Sequence, residues 1–167
     1  GAKVSSPDVG TTSEMTAVRR AAGPLSCSGA AASAAVIRPA TVPVIKPAAK
    51  PTRSGVIWFG STGAAMDEAL VTLELDGIHL DRMRLRAFPF ADAVADFIVA
   101  HDRVFVVEQN RDAQMKALLV NECGIDPARL ISVLHYDGTP LTARFVVREI
   151  AEKARLFNVT PLRKVAP

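Results

Sequence analysis

The chain has 167 residues, of which 49% are apolar, and a formal net charge of +3. That length suits one domain with a core of its own. No apolar run approaches the roughly 18 residues of a membrane-spanning helix, so no membrane association is expected.

The charge is unevenly spread. Residues 1–54 carry seven Lys and Arg against two Asp and Glu, whereas residues 55–167 carry thirteen against fifteen. The second part is slightly acidic, which does not suit a phosphate-backbone binder, so no nucleic-acid partner is expected. Cys27 and Cys123 have no second Cys beside them, so neither reads as a zinc or iron–sulfur ligand. A reduced, cytoplasmic protein is the simplest reading. Cys123 then serves as a small buried hydrophobe near a helix end.

Residues 1–54 hold six of the eleven prolines and a run of small residues from Gly29 to Ala35. Proline at this density blocks helices and inner strands, so this segment reads as a disordered or extended basic tail or linker. The start carries no charged-then-apolar secretory pattern. A targeting peptide is the competing reading, weakened by the two acidic residues and the prolines.

From Gly55 the pattern changes. Val56-Ile57-Trp58-Phe59 is an apolar run of strand length, followed by Met66, Ala69, Leu70 and Leu73 at helical spacing. Leu80, Met83, Leu85 and Ala87 mark a second strand region, in which Arg82, Arg84 and Arg86 alternate with apolar positions. Val94, Phe97 and Ile98 mark a helix; Val104-Phe105-Val106-Val107 reads as a strand buried on both faces. Met115, Leu118 and Leu119 form the next helix, which Gly124 ends. Ile131-Ser132-Val133-Leu134 is the fourth strand, and Val146, Ile150 and Ala154 line a last helix. Strands alternating with helices predict an α/β domain over residues 55–167: a three-layer open parallel sheet. The order 2-1-3-4 places the two continuous apolar strands centrally and the arginine-bearing strand at an edge.

Ligands of such sheets bind beyond the carboxyl ends of the strands. Four segments fall there: Gly60-Ser61-Thr62-Gly63, Phe88-Pro89-Phe90, Glu108-Gln109-Asn110-Arg111 and His135-Tyr136-Asp137-Gly138. The candidate crevice or interface residues are Gly60, Ser61, Thr62, Glu108, Gln109, Asn110, Arg111, His135, Tyr136 and Asp137. The first segment offers an anion cradle, but lacks the lysine of a P-loop; a turn with a Ser or Thr cap is the simpler reading. Glu108 has no nucleophile or histidine near it in sequence, so a helix cap from Asn110 or Asp112 and an interface role are favoured. Thr139-Pro140 reads as a helix cap and first helical position, after a turn at Asp137-Gly138. His79 and His101 read as surface residues at turns. No two histidines are spaced for a metal, and no catalytic residue is assigned.

Four blocks resemble one family in order and spacing: Trp58-Phe59-Gly60-Ser61-Thr62, Leu85 to Phe90, Val106 to Gln114, and Leu134 to Phe145. Together they are similar to the C-terminal domain of the alpha subunit of 2-oxoacid:ferredoxin oxidoreductases, closest to the 2-oxoglutarate type. The resemblance implies a transketolase C-terminal-like fold. It implies a complex that oxidatively decarboxylates a 2-oxoacid to an acyl-CoA and reduces ferredoxin. Thiamine diphosphate, magnesium and an iron–sulfur cluster belong to that complete complex, with no cofactor expected on this chain. The implied partners are a beta subunit and upstream alpha-subunit domains, with ferredoxin and CoA serving the whole. The expected role is assembly, with the isolated chain inactive. The alternative is a stand-alone module binding a small anion between Gly60–Gly63 and Glu108–Asn110.

Overall fold

The computed structural model describes residues 42–158. The expectations for residues 1–41 lie outside the described residues. Five strands form one sheet in the spatial order β1-β3-β2-β4-β5. They are β1 (Val44–Lys46), β2 (Ser54–Phe59), β3 (Asp81–Leu85), β4 (Arg103–Glu108) and β5 (Leu130–Leu134). Four helices alternate with them: α1 (Gly63–Leu75), α2 (Asp92–Ala100), α3 (Gln114–Cys123) and α4 (Ala143–Asn158).

The four parallel strands β2 to β5 take the expected relative order. The sheet gains a fifth strand that the sequence reading placed in the tail: β1 pairs antiparallel with β3, Val44 opposite Arg84 and Lys46 opposite Arg82. The arginine-bearing strand is therefore not an edge. The prolines flank β1 at Pro43 and Pro47 and leave its three residues free to pair. The segment after β1 is also tied down. Ala48 N–H donates to Asp81 Oδ1 at 2.8 Å, and Arg53 forms a bidentate pair with Asp102 at 2.5 and 2.6 Å.

Side chains alternate between the two faces of the sheet, so β2 and β4 feed two cores. Ile57, Val104 and Val106 pack with Val94, Phe97 and Ile98 of α2 and Leu119 of α3. Val56, Phe105 and Val107 pack with Met66, Leu70 and Leu73 of α1 and Val146 and Ile150 of α4. Each of these large side chains contributes about 1.5–3 kcal/mol by leaving water. Gly55 is required where it stands: a Cβ there would lie 2.8 Å from the Phe97 ring. α3 ends on Gly124 in the left-handed region, as its position after the last apolar residue predicts.

One residue departs from expectation. His101 is buried, not at the surface; Nδ1 donates to the Phe97 carbonyl at 2.6 Å and Nε2 meets Asp81 Oδ2 at 2.9 Å. Cys123 is buried at the end of α3, as expected.

Candidate functional site

β2 and β4 lie side by side, and their following helices leave to opposite faces, so the switch point falls between Phe59 and Glu108. The tips of these strands touch there: Gln109 Nε2 donates to Thr62 Oγ1 at 3.2 Å. Thr62 is buried and begins α1 without a side-chain cap bond, so the expected Ser or Thr cap is not made. Its hydroxyl is used across the sheet instead. Gly60 takes a φ of +66°, which glycine alone adopts cheaply, and opens a single 3-10 turn through Ser61 and Thr62. Ser61 is exposed.

Glu108 is fully buried and points into the start of α3. One carboxylate oxygen accepts from Met115 N–H at 2.7 Å and from Asn110 Nδ2 at 2.9 Å; the other accepts from Lys116 N–H at 3.0 Å. Asn110 Oδ1 accepts from Gln114 N–H at 3.2 Å. The three opening N–H groups of α3 are thus filled by two side chains from the β4 tip. An anion at a helix N-terminus is also favoured by the helix dipole. The sequence reading chose Asn110 or Asp112 as cap. Asn110 does cap, but Glu108 takes the larger share, and Asp112 pairs with Arg111 at 2.9 Å on the surface. The chain turns into α3 through Ala113 at φ +50°, a left-handed conformation that costs a non-glycine residue on the order of 1 kcal/mol.

At the β5 tip the His135 ring is buried against Phe145, with centroids 4.6 Å apart, and its Nδ1 lies 3.4 Å from Asp137 Oδ1. The His135 N–H donates to the Glu108 carbonyl at 2.9 Å, joining the β4 and β5 tips. Asp137 Oδ1 accepts from the Thr139 hydroxyl at 2.7 Å and the Thr139 N–H at 2.9 Å. These bonds, the hydroxyl first, hold the Asp137 carboxyl below the usual carboxylate range. Thr139 therefore closes a turn and does not cap α4. That helix starts three residues later, with Thr142 Oγ1 accepting from Phe145 N–H at 3.3 Å.

The edge therefore brings Thr62, Glu108, Gln109, Asn110 and His135 together through short bonds, while Gly60, Ser61, Arg111, Tyr136 and Asp137 stay on its exposed rim. Glu108 and His135 are occupied internally and, among the described residues, meet no hydroxyl or thiol in a nucleophile–base pair. Among the described residues no group of three or more His, Cys, Asp and Glu could hold a metal ion. The anion cradle between Gly60–Gly63 and Glu108–Asn110 loses its α3 donors to the buried carboxylate of Glu108. Sequence reasoning left Phe88 out of the candidate residues. It lies beyond the β3 tip, before a cis peptide bond to Pro89, is 55% exposed, and stands edge-on to buried Phe90 at 5.3 Å. Tyr136, beyond β5, is 63% exposed.

These features define an α/β domain with a mostly parallel open sheet, consistent with the transketolase C-terminal-like fold. No family model and no curated protein matches the chain. Among solved structures it is similar to 2-oxoglutarate:ferredoxin oxidoreductase from Magnetococcus marinus, determined with 2-oxoglutarate, coenzyme A and succinyl-CoA bound. The TM-score is 0.59 and the identity 22%, over 66% of this chain and 19% of that one. It also aligns with the alpha chain of a probable 2-oxoacid ferredoxin oxidoreductase from Thermoplasma acidophilum, with a TM-score of 0.46 and 23% identity, over 70% of this chain and 99% of that one. The Magnetococcus likeness is one of fold, and this chain spans about a fifth of that protein's length. No helix among the described residues is long and apolar enough to cross a membrane.

Proposed function

We propose that this chain is an assembly domain of a 2-oxoacid:ferredoxin oxidoreductase, of the 2-oxoglutarate type, and does not catalyse alone. The observation that carries the proposal is the state of the carboxyl edge. Its buried ionisable residues, Glu108 and His135, are spent on holding the fold, while two aromatic side chains, Phe88 and Tyr136, stand exposed on the same edge. Exposed aromatics beside a rigid polar frame suit a protein interface, where tyrosine and phenylalanine are enriched. The fold likeness to a fifth of a complete 2-oxoglutarate:ferredoxin oxidoreductase supports the same reading. The four sequence blocks end on or beside this edge. The partners are then a beta subunit and upstream alpha-subunit domains. Thiamine diphosphate, magnesium, the iron–sulfur cluster, CoA and ferredoxin serve the whole complex, and the cytoplasm is its proposed location.

The test mixes the full chain with purified beta subunit and upstream alpha-subunit domains and follows co-elution and 2-oxoglutarate decarboxylation. Joint elution with activity only in the mixture is expected. Turnover by the chain alone, or no association with either partner, would sink the proposal.

A further inference from the structure

On the α1 face of the sheet, two buried N–H groups have no acceptor among the described residues: Trp58 Nε1 and Arg82 Nε. Trp58 is only 5% exposed, so any acceptor for its N–H must lie within the groove it lines. A donor buried without an acceptor costs about 1–3 kcal/mol. Both residues line one groove, together with Lys46, Gly63, Asp67 and Arg84. Strand register explains the grouping. Lys46 stands opposite Arg82 across β1 and β3, and Arg84 opposite Trp58 across β3 and β2, so these side chains share one face.

The groove holds about 130 Å³. That is room for roughly four waters at about 30 Å³ each, enough for a small polar ligand. Its cations are Lys46, Arg82 and Arg84. The carboxylates beside them are Asp67, in the lining, and Glu74, which binds an Arg82 terminal nitrogen. One positive charge is left over. Arg84 is fixed by donating to the Gly60 carbonyl at 3.0 Å, which holds its guanidinium near Gly63; a Cβ on that residue would lie 3.6 Å away. α1 begins here with no side-chain cap. Both buried unmet groups that line this groove, Trp58 Nε1 and Arg82 Nε, are donors.

We propose that the groove between β1, β3 and the start of α1 binds a small oxyanion, a carboxylate or a phosphate group. Its oxygens supply the acceptors that Trp58 and Arg82 lack, and Lys46 and Arg84 balance its charge. The site meets the carboxyl edge only at the turn from Gly60 to Gly63 and uses neither Phe88 nor Tyr136, so it does not depend on the proposed interface.

Trp58 is the single tryptophan of the chain, so its emission reports on the groove directly. The full chain is titrated with inorganic phosphate and, separately, with succinate, against chloride at matched ionic strength. A saturable emission change is expected with at least one oxyanion and not with chloride; which one responds identifies the source chemistry. Lys46 is exposed, so Lys46→Gln leaves the fold intact while weakening binding about tenfold, the loss of one charge-assisted hydrogen bond. Lys46→Arg restores most of the affinity, and Ser61→Ala, on the neighbouring turn, changes it less than about twofold. No saturable response to either oxyanion up to roughly 20 mM overturns the proposal, since that corresponds to only about 2 kcal/mol of binding. So does a response that Lys46→Gln leaves unchanged.

Discussion

The two helices that leave the switch point begin in opposite ways. α3 starts with its three opening N–H groups filled by Glu108 and Asn110. α1 starts with no side-chain cap, beside a groove whose buried unmet groups are donors. Both starts follow a central parallel strand and lie where ligands of such sheets usually bind. The difference lies in one buried carboxylate. Glu108 supplies α3 with an internal anion, and an external one has nothing left to bind there. The lesson concerns acidic residues at sheet edges: the N–H groups within reach decide whether a carboxylate is a reagent or a cap. Glu108 is a cap, and the space for a foreign oxyanion lies on the other helix.

The largest expected effect comes from breaking the closed start. Glu108→Ala removes the acceptor of two backbone N–H groups and of Asn110 and strands them in a buried site. Losing the cap costs about 1 kcal/mol and each unmet donor about 1–3. Urea unfolding should show a loss of roughly 3 kcal/mol, and Glu108→Gln about half of it. Thr62→Ala, at the open start, should cost no more than about 1 kcal/mol, since only the Gln109 bond is lost. Equal costs at the two positions would abolish the contrast between the helix starts.

Next come the exposed aromatics. If the closed tips form a rigid frame, Phe88→Ala and Tyr136→Ala should leave stability within about 0.5 kcal/mol. Each should weaken association with the partner subunits about tenfold, near 1.4 kcal/mol. Co-elution and calorimetry read the two quantities separately. Unchanged affinity in both variants would move the interface away from this edge. A smaller effect, of opposite sign, is expected at Ala113. Its φ of +50° suits glycine, so Ala113→Gly should stabilise the chain by about 0.5–1 kcal/mol in the same urea assay. A loss would mean that the Ala113 methyl group contributes more packing than its backbone strain costs.

Much of this architecture was legible before the structure. The apolar periodicity located four strands and four helices because both sheet faces are covered, and burial on two faces leaves continuous runs such as Val104 to Val107. β1 was hidden because Val44, Ile45 and Lys46 are all exposed, so no alternation marks them, and the adjacent prolines speak against a strand. That omission also hid the oxyanion groove: Lys46 joins Arg82 only through the antiparallel register of β1. The polar tips were found, and Asn110 was read as a cap, but the part played by Glu108 was not. Sequence spacing cannot tell that Glu108 reaches Met115 and Lys116, seven and eight residues on, because Ala113 must first turn through the left-handed region. The β5 tip misled for a related reason. Thr139-Pro140 fits a helix start, but Asp137 takes both donors of Thr139 and delays α4 to Thr142.

The smallest expected effect isolates that last competition. The Thr139 hydroxyl and N–H favour the charged form of Asp137 and lower its pKa in the folded chain. A depressed folded pKa means stability that is present above the unfolded value, about 3.9, and is lost as pH falls through the folded value. Asp137 is fully exposed, so solvent screens the effect. The direction is still testable. In an NMR titration the Asp137 carboxyl should protonate below about 3.9, and Thr139→Ala should move that midpoint upward. The nearby His135 also favours the charged carboxylate, so His135→Ala should move it the same way by less. A midpoint at or above that of an ordinary aspartate, or one indifferent to Thr139, would show that Thr139 does not hold this turn. The delayed start of α4 would then need another cause.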